Sequence, residues 1–310
     1  MLKAPFPYFG GKSRAAELVW IRFGDVPNYV DPFCGSLAVL LARPHEPKIE
    51  TVNDADALLA NFWRAVQVEP DAVAEWADWP VNENDLHARH LWLVTTGRAR
   101  VERLTINPDY YDAKAAGWWV WGISQWIGSG WCAGGGGEAV SGEPGGAGNP
   151  GMGVHRQLPH LGDAGRGDAL IGYMRALQDR LRRVRVCCGD WTRVLGPSPT
   201  THLGLTGVLL DPPYAHNERQ TGLYAKDTDV SAAVRAWAIE HGDDPLLRIA
   251  LCGYEGEHIM PDTWEAVPWK AHGGYGSQGT GRGRANAERE RIWFSPACIR
   301  PDGLRQMEMF

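Results

Sequence analysis

The segment that most constrains this chain is Gly207–Tyr214, which reads Gly-Val-Leu-Leu-Asp-Pro-Pro-Tyr. A short apolar run, typical of a buried strand, is followed at once by an acid, two prolines and a tyrosine. The carboxyl end of such a strand is where open α/β sheets bind ligands. The prolines remove backbone N–H donors and stiffen the turn, so that carbonyl acceptors remain. An acid, a rigid carbonyl and an aromatic ring suit a planar base that carries an exocyclic amino group.

Two earlier segments accompany this one. Residues 6–12 read Phe-Pro-Tyr-Phe-Gly-Gly-Lys, and residues 29–36 read Tyr-Val-Asp-Pro-Phe-Cys-Gly-Ser. Together the three segments resemble the Dam-type DNA methyltransferases, the D12 class of adenine-N6 enzymes. In that family the order is Gly-Gly-Lys, then acid-Pro-Phe-x-Gly, then a recognition region, then Asp-Pro-Pro-Tyr. This sequence keeps the order, so the resemblance covers most of the chain.

The carboxyl-terminal part resembles phage-type members of the same class. Residues 289–296 read Arg-Glu-Arg-Ile-Trp-Phe-Ser-Pro, a recurring ending in those proteins, and a glycine-rich, basic stretch precedes them. The resemblance implies that double-stranded DNA is the partner and that basic side chains meet its phosphates. The expected DNA-binding residues are Lys12, Lys270, Arg282 and Arg284.

Alternating strands and helices predict an α/β protein with a Rossmann-like, doubly wound methyltransferase sheet. Strands are expected at 26–30, 49–52, 184–188, 207–210, 246–252 and 291–294. We expect residues 1–67 and 170–310 to form the catalytic domain, and residues 68–169 to be an inserted target-recognition region. We interpret the many tryptophans of residues 68–169 mainly as core residues. The glycine-rich tract at 132–153 is interpreted as a flexible loop, because it has few apolar anchors.

The resemblance implies that S-adenosyl-L-methionine is the cofactor and that the turn after the first strand carries it. The turn residues are Asp31, Pro32, Phe33, Cys34, Gly35 and Ser36. Gly35 permits a close backbone approach. The family has a second glycine where Leu37 stands here, which puts a side chain near the expected methionine moiety.

Further cofactor contacts are expected at the ends of neighbouring strands. Asp54 is expected to accept the ribose hydroxyls, with a helix N-cap as the alternative role. Asp190 resembles the acid that meets the cofactor adenine, with a turn aspartate as the alternative. The amino-terminal segment supplies the remaining expected residues, namely Tyr8, Gly10, Gly11 and Lys12.

The expected catalytic residues are Asp211, Pro212, Pro213 and Tyr214. Hydrogen bonds from adenine N6 to the Asp211 carboxylate and the Pro212 carbonyl would turn the nitrogen lone pair toward the methyl donor. A duplex hides N6, so the base must flip out, and Tyr214 would stack on it. No metal is expected, because the sulfonium is already activated.

Composition limits the other functions. No Cys-x-x-Cys pair occurs among the six cysteines, which argues against a zinc ribbon, and no apolar stretch has the length of a membrane span. We therefore expect a cytoplasmic protein with no membrane association, and a monomer. The net charge of −6 counts mildly against DNA binding. The basic stretches 175–193 and 270–291 offset it locally, with ion-paired or solvated faces as their alternative interpretation.

Several functions stay open at this point. Cytosine-N4 methylation shares the chemistry, although those enzymes more often carry serine in place of Asp211. RNA methylation and a non-catalytic DNA-binding relative are also possible, as is a restriction partner. A nicotinamide dehydrogenase is disfavoured because the turn after the first predicted strand lacks the glycine fingerprint. Cytosine-C5 methylation is disfavoured because no Pro-Cys dipeptide occurs.

Overall fold

The computed structural model of the protein describes residues 2–8, 11–107, 110–127, 131–132, 166–213, 230–269 and 289–301. The backbone alone is described at residue 105. Expectations for Gly10, Tyr214, Lys270, Arg282, Arg284 and the loop at 133–153 lie outside these residues.

The described strands form one seven-stranded sheet, which confirms the expected Rossmann-like α/β fold. The sheet order is β3-β2-β1-β4-β5-β7-β6. Strands β1 to β5 pair in parallel, whereas β7 is antiparallel to both β5 and β6. The bounds are β1 Asn28–Asp31, β2 Ile49–Asp54, β3 Arg185–Cys188, β4 Thr206–Leu210, β5 Leu247–Tyr254, β6 Glu265–Pro268 and β7 Glu290–Phe294.

Helices precede, connect and flank these strands. Their bounds are α1 Ala16–Phe23, α2 Ala38–Leu41, α3 Ala57–Val68, α4 Pro70–Ala77, α5 Glu83–Trp92, α6 Arg98–Val101, α7 Ala113–Gln125, α8 Asp168–Leu181 and α9 Val230–His241. A π-helical turn at Leu93–Gly97 joins α5 to α6. No helix in the described ranges is long and apolar enough to span a bilayer.

The sheet is buried on both faces, which explains the uninterrupted apolar run before Asp211. Along β4, Leu209 joins the apolar cluster on one face, whereas Val208 and Leu210 join the cluster on the other. Successive side chains of a strand point to opposite faces, and a strand covered on both sides therefore reads as continuously apolar. The motif Gly-Val-Leu-Leu-Asp thus marks a central strand rather than an edge.

Helices α4 to α7 lie within the stretch predicted to be the recognition region. They pack onto the sheet domain, since α7 contacts α3 and α4 contacts α8. The Asn61 side chain of α3 bonds both the backbone N–H and the carbonyl of Asp112 at 2.8 and 2.9 Å. The division at residues 68 and 169 stays a prediction.

Four of the eight tryptophans of this stretch are buried core residues, and Trp92 and Trp118 are partly buried against the core. Trp119, Trp121, Trp126 and Trp131 are each at most 8% exposed. Trp119 also lies edge-on to Phe6, with ring centroids 5.0 Å apart, and so joins the amino-terminal segment to α7. In contrast, Trp76 and Trp79 are exposed.

Leu37, which stands where the family has its second glycine, adopts a left-handed backbone conformation. Its φ is 57° and its ψ is 23°, and its side chain is fully buried. A left-handed conformation costs an L-residue roughly 1–2 kcal/mol, a cost that glycine largely avoids. The chain therefore bears backbone strain at this turn, compensated by a buried leucine side chain.

This balance predicts an unusual order of stability for two substitutions. Leu37→Ala should lose the side-chain packing and keep the strain, whereas Leu37→Gly should lose the packing and relieve the strain. The Gly variant should therefore be more stable than the Ala variant by about 1 kcal/mol in urea unfolding. At Leu40, a buried residue inside α2, the order should be the reverse. An Ala variant at position 37 that is more stable than the Gly variant would contradict this account.

Candidate active site

Acidic residues meet at one edge of the sheet. Asp31 ends β1, Asp54 ends β2 and Asp211 directly follows β4. Because these strands are parallel and β1 lies between β2 and β4, their carboxyl ends point to the same edge. The connections change direction between β1 and β4, which is the switch point where open sheets form a ligand crevice. Residues from distant parts of the sequence therefore converge there.

Lys12 and Asp211 form the central ion pair of this edge. The Lys12 Nζ lies 2.8 Å from Asp211 Oδ1, and the two side chains are 4% and 20% exposed. The ammonium also lies 5.4 Å from the centroid of the Trp269 ring. Burial opposes the charge of Lys12, but the carboxylates of Asp211 and Glu290 outweigh it and raise the pKa of Lys12 above its ordinary value. Lys12 therefore stays charged at neutral pH.

Asp31 is almost fully buried beside this pair. It accepts a hydrogen bond from the Tyr29 hydroxyl at 3.1 Å and another from the Phe33 backbone N–H at 3.3 Å. Burial raises the pKa of Asp31 to about 7; the Tyr29 hydrogen bond acts against this rise, and the negative charge of Asp211 adds to it. Near neutral pH this carboxyl group is therefore poised between its two protonation states.

The turn after β1 is held against the end of β2. The Gly35 N–H donates to Asp54 Oδ2 at 3.2 Å, and the Gly35 carbonyl accepts from Trp63 Nε1 at 3.0 Å. Gly35 has a φ of 45°, and a Cβ there would lie 2.7 Å from the Tyr8 ring. Both the conformation and the contact with Tyr8 therefore require glycine. Pro32, Cys34 and Ser36 are buried in the same turn.

Asp54 is a turn-stabilising acid rather than a helix N-cap. Besides Gly35, it accepts from the Asp56 backbone N–H at 2.9 Å. The capping role suggested for Asp54 belongs to Asp56, which accepts from Leu58 at the start of α3. Burial raises the pKa of Asp54 to about 7, although its backbone hydrogen bonds partly oppose this.

An aromatic pair lies next to the acids. The rings of Phe33 and Trp191 are stacked, with centroids 6.1 Å apart and planes inclined at 29°. Sequence reasoning selected Phe33 and passed over Trp191, although Gly-Asp-Trp directly after a strand was a usable signal. Asp190 is exposed and accepts from the Thr192 backbone N–H at 3.0 Å, so its turn role is present.

Pro212, Pro213 and Gly11 are sequence neighbours of the ion-paired residues Asp211 and Lys12. Pro212 is buried and Pro213 is partly buried, immediately after Asp211. The Gly11 N–H donates to the Tyr8 carbonyl at 3.1 Å, which forms the turn that leads to Lys12.

Within the described ranges, no cluster of three or more His, Cys, Asp or Glu side chains could hold a metal ion. All six cysteines are free thiols.

Comparison with protein families gives one match. The family model described as D12 class N6 adenine-specific DNA methyltransferase matches residues 8–88. Residues 8–88 are therefore similar in sequence to the D12 class. The resemblance inferred from the motifs is thereby confirmed, and DNA methylation is the general activity that it supports. A search of curated proteins found no match.

The matched segment contains many of the site residues described above. It includes Tyr8, Lys12, the turn after β1 and Asp54, and it ends before Asp190 and Asp211. The fold brings those two later residues to the sheet edge that the matched segment helps to form. The ion pair between Lys12 and Asp211 joins the matched and unmatched parts directly.

The first basic stretch behaves as an ion-paired face. Arg175 bonds Asp71 at 2.7 Å, Arg180 bonds Glu50 at 2.7 Å, and Arg182 bonds Asp179 at 2.7 Å. These arginines are therefore engaged in ion pairs within the protein itself. Lys12, expected to contact both cofactor and DNA, is buried against Asp211 rather than displayed on an open surface.

The raised pKa of Asp31 predicts how the stability of the free protein depends on pH. The folded protein holds this proton more tightly than the unfolded chain, so the stabilisation is complete below pH about 4 and is lost as pH rises through about 7. Asp31→Asn should therefore raise the free energy of unfolding at pH 8 by more than about 1 kcal/mol. Chemical denaturation between pH 5 and pH 8 measures this effect.

Asp25 is a suitable control for that experiment. It is exposed, and a hydrogen bond from Lys48 lowers its pKa, so Asp25→Asn should have a small effect of the opposite sign. An Asp31→Asn protein that is less stable than wild type at pH 8, or that keeps the wild-type pH dependence, would contradict the assignment.

Proposed function

We propose that the protein is an S-adenosylmethionine-dependent methyltransferase that acts on N6 of a flipped-out adenine in double-stranded DNA. The observation that carries the proposal is the position of Asp211. It follows a buried central strand at the switch point of the sheet, and it pairs with a buried, charged lysine. The D12-class match supports the same chemistry.

The residues around the turn after β1 fit S-adenosylmethionine. The Asp54 carboxylate can accept hydrogen bonds from the ribose hydroxyls. The stacked rings of Phe33 and Trp191 suit a planar adenine. Gly35 supplies a backbone position without a side chain. When bound, the cofactor supplies an electrophilic methyl group on a sulfonium. Tyr8, Asp31 and Asp190 complete the proposed set of contacts.

Asp211 and the Pro212 carbonyl are proposed to orient the target amine. The N6 lone pair of adenine is delocalised into the ring, so the nitrogen is a poor nucleophile. Hydrogen bonds from both N6 protons to these acceptors draw the nitrogen toward tetrahedral geometry. The lone pair then faces the methyl group for in-line displacement. Such positioning can contribute roughly 7–11 kcal/mol to catalysis.

Lys12 is proposed to keep Asp211 an effective acceptor. The ammonium stabilises the carboxylate form, in which both oxygens only accept hydrogen bonds. Because a carboxylate has about four lone-pair sites, it can accept from Lys12 and from the substrate amine together. Asp211 also disperses the positive charge that develops on N6, and it can receive the proton after transfer.

Base extrusion completes the proposed reaction path. A duplex encloses adenine N6, so the base must leave the stack to reach Asp211. Tyr214 is proposed to stack on the extruded ring. Lys270, Arg282 and Arg284 are proposed to contact phosphates, and residues 68–169 to read the target sequence.

The first functional test is removal of the Asp211 carboxylate. Asp211→Ala should lower methyl transfer from tritiated S-adenosylmethionine to DNA by at least about 10²-fold. Cofactor affinity should stay within about threefold of wild type, because the proposed contacts lie on other strands. An Asp211→Ala protein with wild-type activity would refute the assignment.

Folding must be controlled in this experiment, because Asp211→Ala removes a buried counter-charge of Lys12. Removing one partner of such a pair can destabilise a protein by about 3–5 kcal/mol. Asp211→Asn keeps the shape and serves as a second inactive variant, with its folding checked by thermal unfolding. Asp262→Ala, at an exposed acid, is the matched control and should retain full activity.

Cofactor affinity should depend on pH through Asp54. With a pKa of about 7, this carboxyl group is mostly protonated at pH 6 and mostly ionised at pH 8. If the ionised Asp54 accepts hydrogen bonds from the ribose hydroxyls, calorimetry should show the affinity for S-adenosylmethionine rising on the order of tenfold from pH 6 to pH 8. Asp54→Asn should reduce this dependence to the part that Asp31 contributes, whereas Asp25→Asn should leave it unchanged. A pH-independent wild-type affinity would count against the ribose contact.

A further inference from the structure

Glu290 is a buried acid that the proposed mechanism does not use. It is the first residue of β7, is 4% exposed, and lies opposite Tyr254 of β5. Its carbonyl accepts from the Trp269 backbone N–H at 3.2 Å. Trp269 is also the residue whose ring lies under the Lys12 ammonium. Glu290 is thus built into the wall of the Lys12 site.

A buried carboxylate is costly unless a positive charge compensates it. The titratable groups that act on Lys12 come from three strands: Asp211 after β4, Cys252 of β5 and Glu290 of β7. The Cys252 thiol is buried and its pKa is raised, so it carries no charge at neutral pH. Asp31 faces Asp211 from β1. Lys12 is therefore in direct contact with the Asp211 carboxylate and also within the electrostatic influence of the Glu290 carboxylate.

The arginines on either side of Glu290 contact Glu255, and Arg291 also donates to the Glu290 backbone carbonyl at 2.9 Å. Arg291 lies 3.0 Å from the Glu255 carboxylate, and Arg289 donates to the Glu255 carbonyl. Glu255 is largely exposed, with 63% of its side chain accessible. The strand thus carries one buried acid on the side of Lys12, next to arginines that contact an exposed acid.

We propose that Glu290 is a positioning residue of the methyl-transfer site, which holds the Lys12 ammonium in place while Asp211 engages the target amine. This inference rests on the proposed function. Asp211 binds the ammonium directly, whereas the charge of Glu290 attracts it from the side of β7.

The need for a second anchor follows from the geometry. If Asp211 alone held Lys12, the carboxylate that must receive the substrate amine would also be the only restraint on the lysine. Turning Asp211 toward the substrate would then displace the ammonium or pull the carboxylate out of line. Glu290 separates these tasks, because it restrains Lys12 from β7 and leaves Asp211 to adjust to the base. Small errors of position at a reacting centre cost large factors in rate.

Glu290→Gln tests the inference, because it keeps the shape and removes the charge. We expect kcat to fall on the order of tenfold, with KM for DNA and S-adenosylmethionine within about twofold of wild type. Glu290→Asp should recover part of the rate. Glu255→Gln is the matched control and should leave both quantities unchanged.

A readout without DNA separates this inference from the proposed function. The Lys12 ammonium signal, assigned in NMR spectra with Lys12→Arg, should exchange its protons with water faster at neutral pH in Glu290→Gln than in wild type, because the ammonium is held less firmly. Wild-type kcat in Glu290→Gln would overturn the positioning role, as would an unchanged exchange rate of the Lys12 ammonium. If wild type itself transfers no methyl group to DNA, the proposed function fails, and the catalytic role of Glu290 fails with it. The exchange rate of the Lys12 ammonium would still report whether Glu290 restrains it.

Discussion

The buried contact between Lys12 and Asp211 is the interaction on which the rest of the site depends. It joins a residue near the amino terminus to the residue that follows the central strand β4. The Trp269 ring after β6 lies against the ammonium, and the charge of Glu290 acts on it from β7. A single buried charge would be too costly to keep, so each member of this group requires the others. The same group places an ionised acceptor at the switch point of the sheet, where a ligand crevice forms.

Several features of the surrounding sheet edge lower the stability of the free protein. Asp31 and Asp54 both have a pKa of about 7, so their ionised forms are disfavoured in the free protein. Leu37 holds a left-handed conformation, and Gly35 is required by the Tyr8 ring. Strain and unfavourable charges concentrated in one place are typical of functional sites rather than of structural cores. A positively charged cofactor with hydroxyl donors would relieve part of this cost on binding.

Much of this arrangement could be predicted from sequence. The run before Asp211 is apolar without interruption because β4 is covered on both faces, and Asp31 and Asp54 each stand at the end of a strand. What the sequence could not show is which distant residues meet. Glu290 reads as one member of a charged stretch, and only the antiparallel pairing of β7 with β5 brings it toward Lys12. Trp191 is one of 15 tryptophans, and only the fold shows that it stacks on Phe33. Strand β6 was missed because Glu-Ala-Val-Pro is short and ends in proline.

The most direct test of the central claim is single-molecule sequencing of DNA from cells that express the wild-type protein or Asp211→Asn. The account predicts N6-methyladenine in a defined sequence context with wild type and none above background with the variant. N4-methylcytosine, or modification that persists in the Asp211→Asn strain, would contradict it.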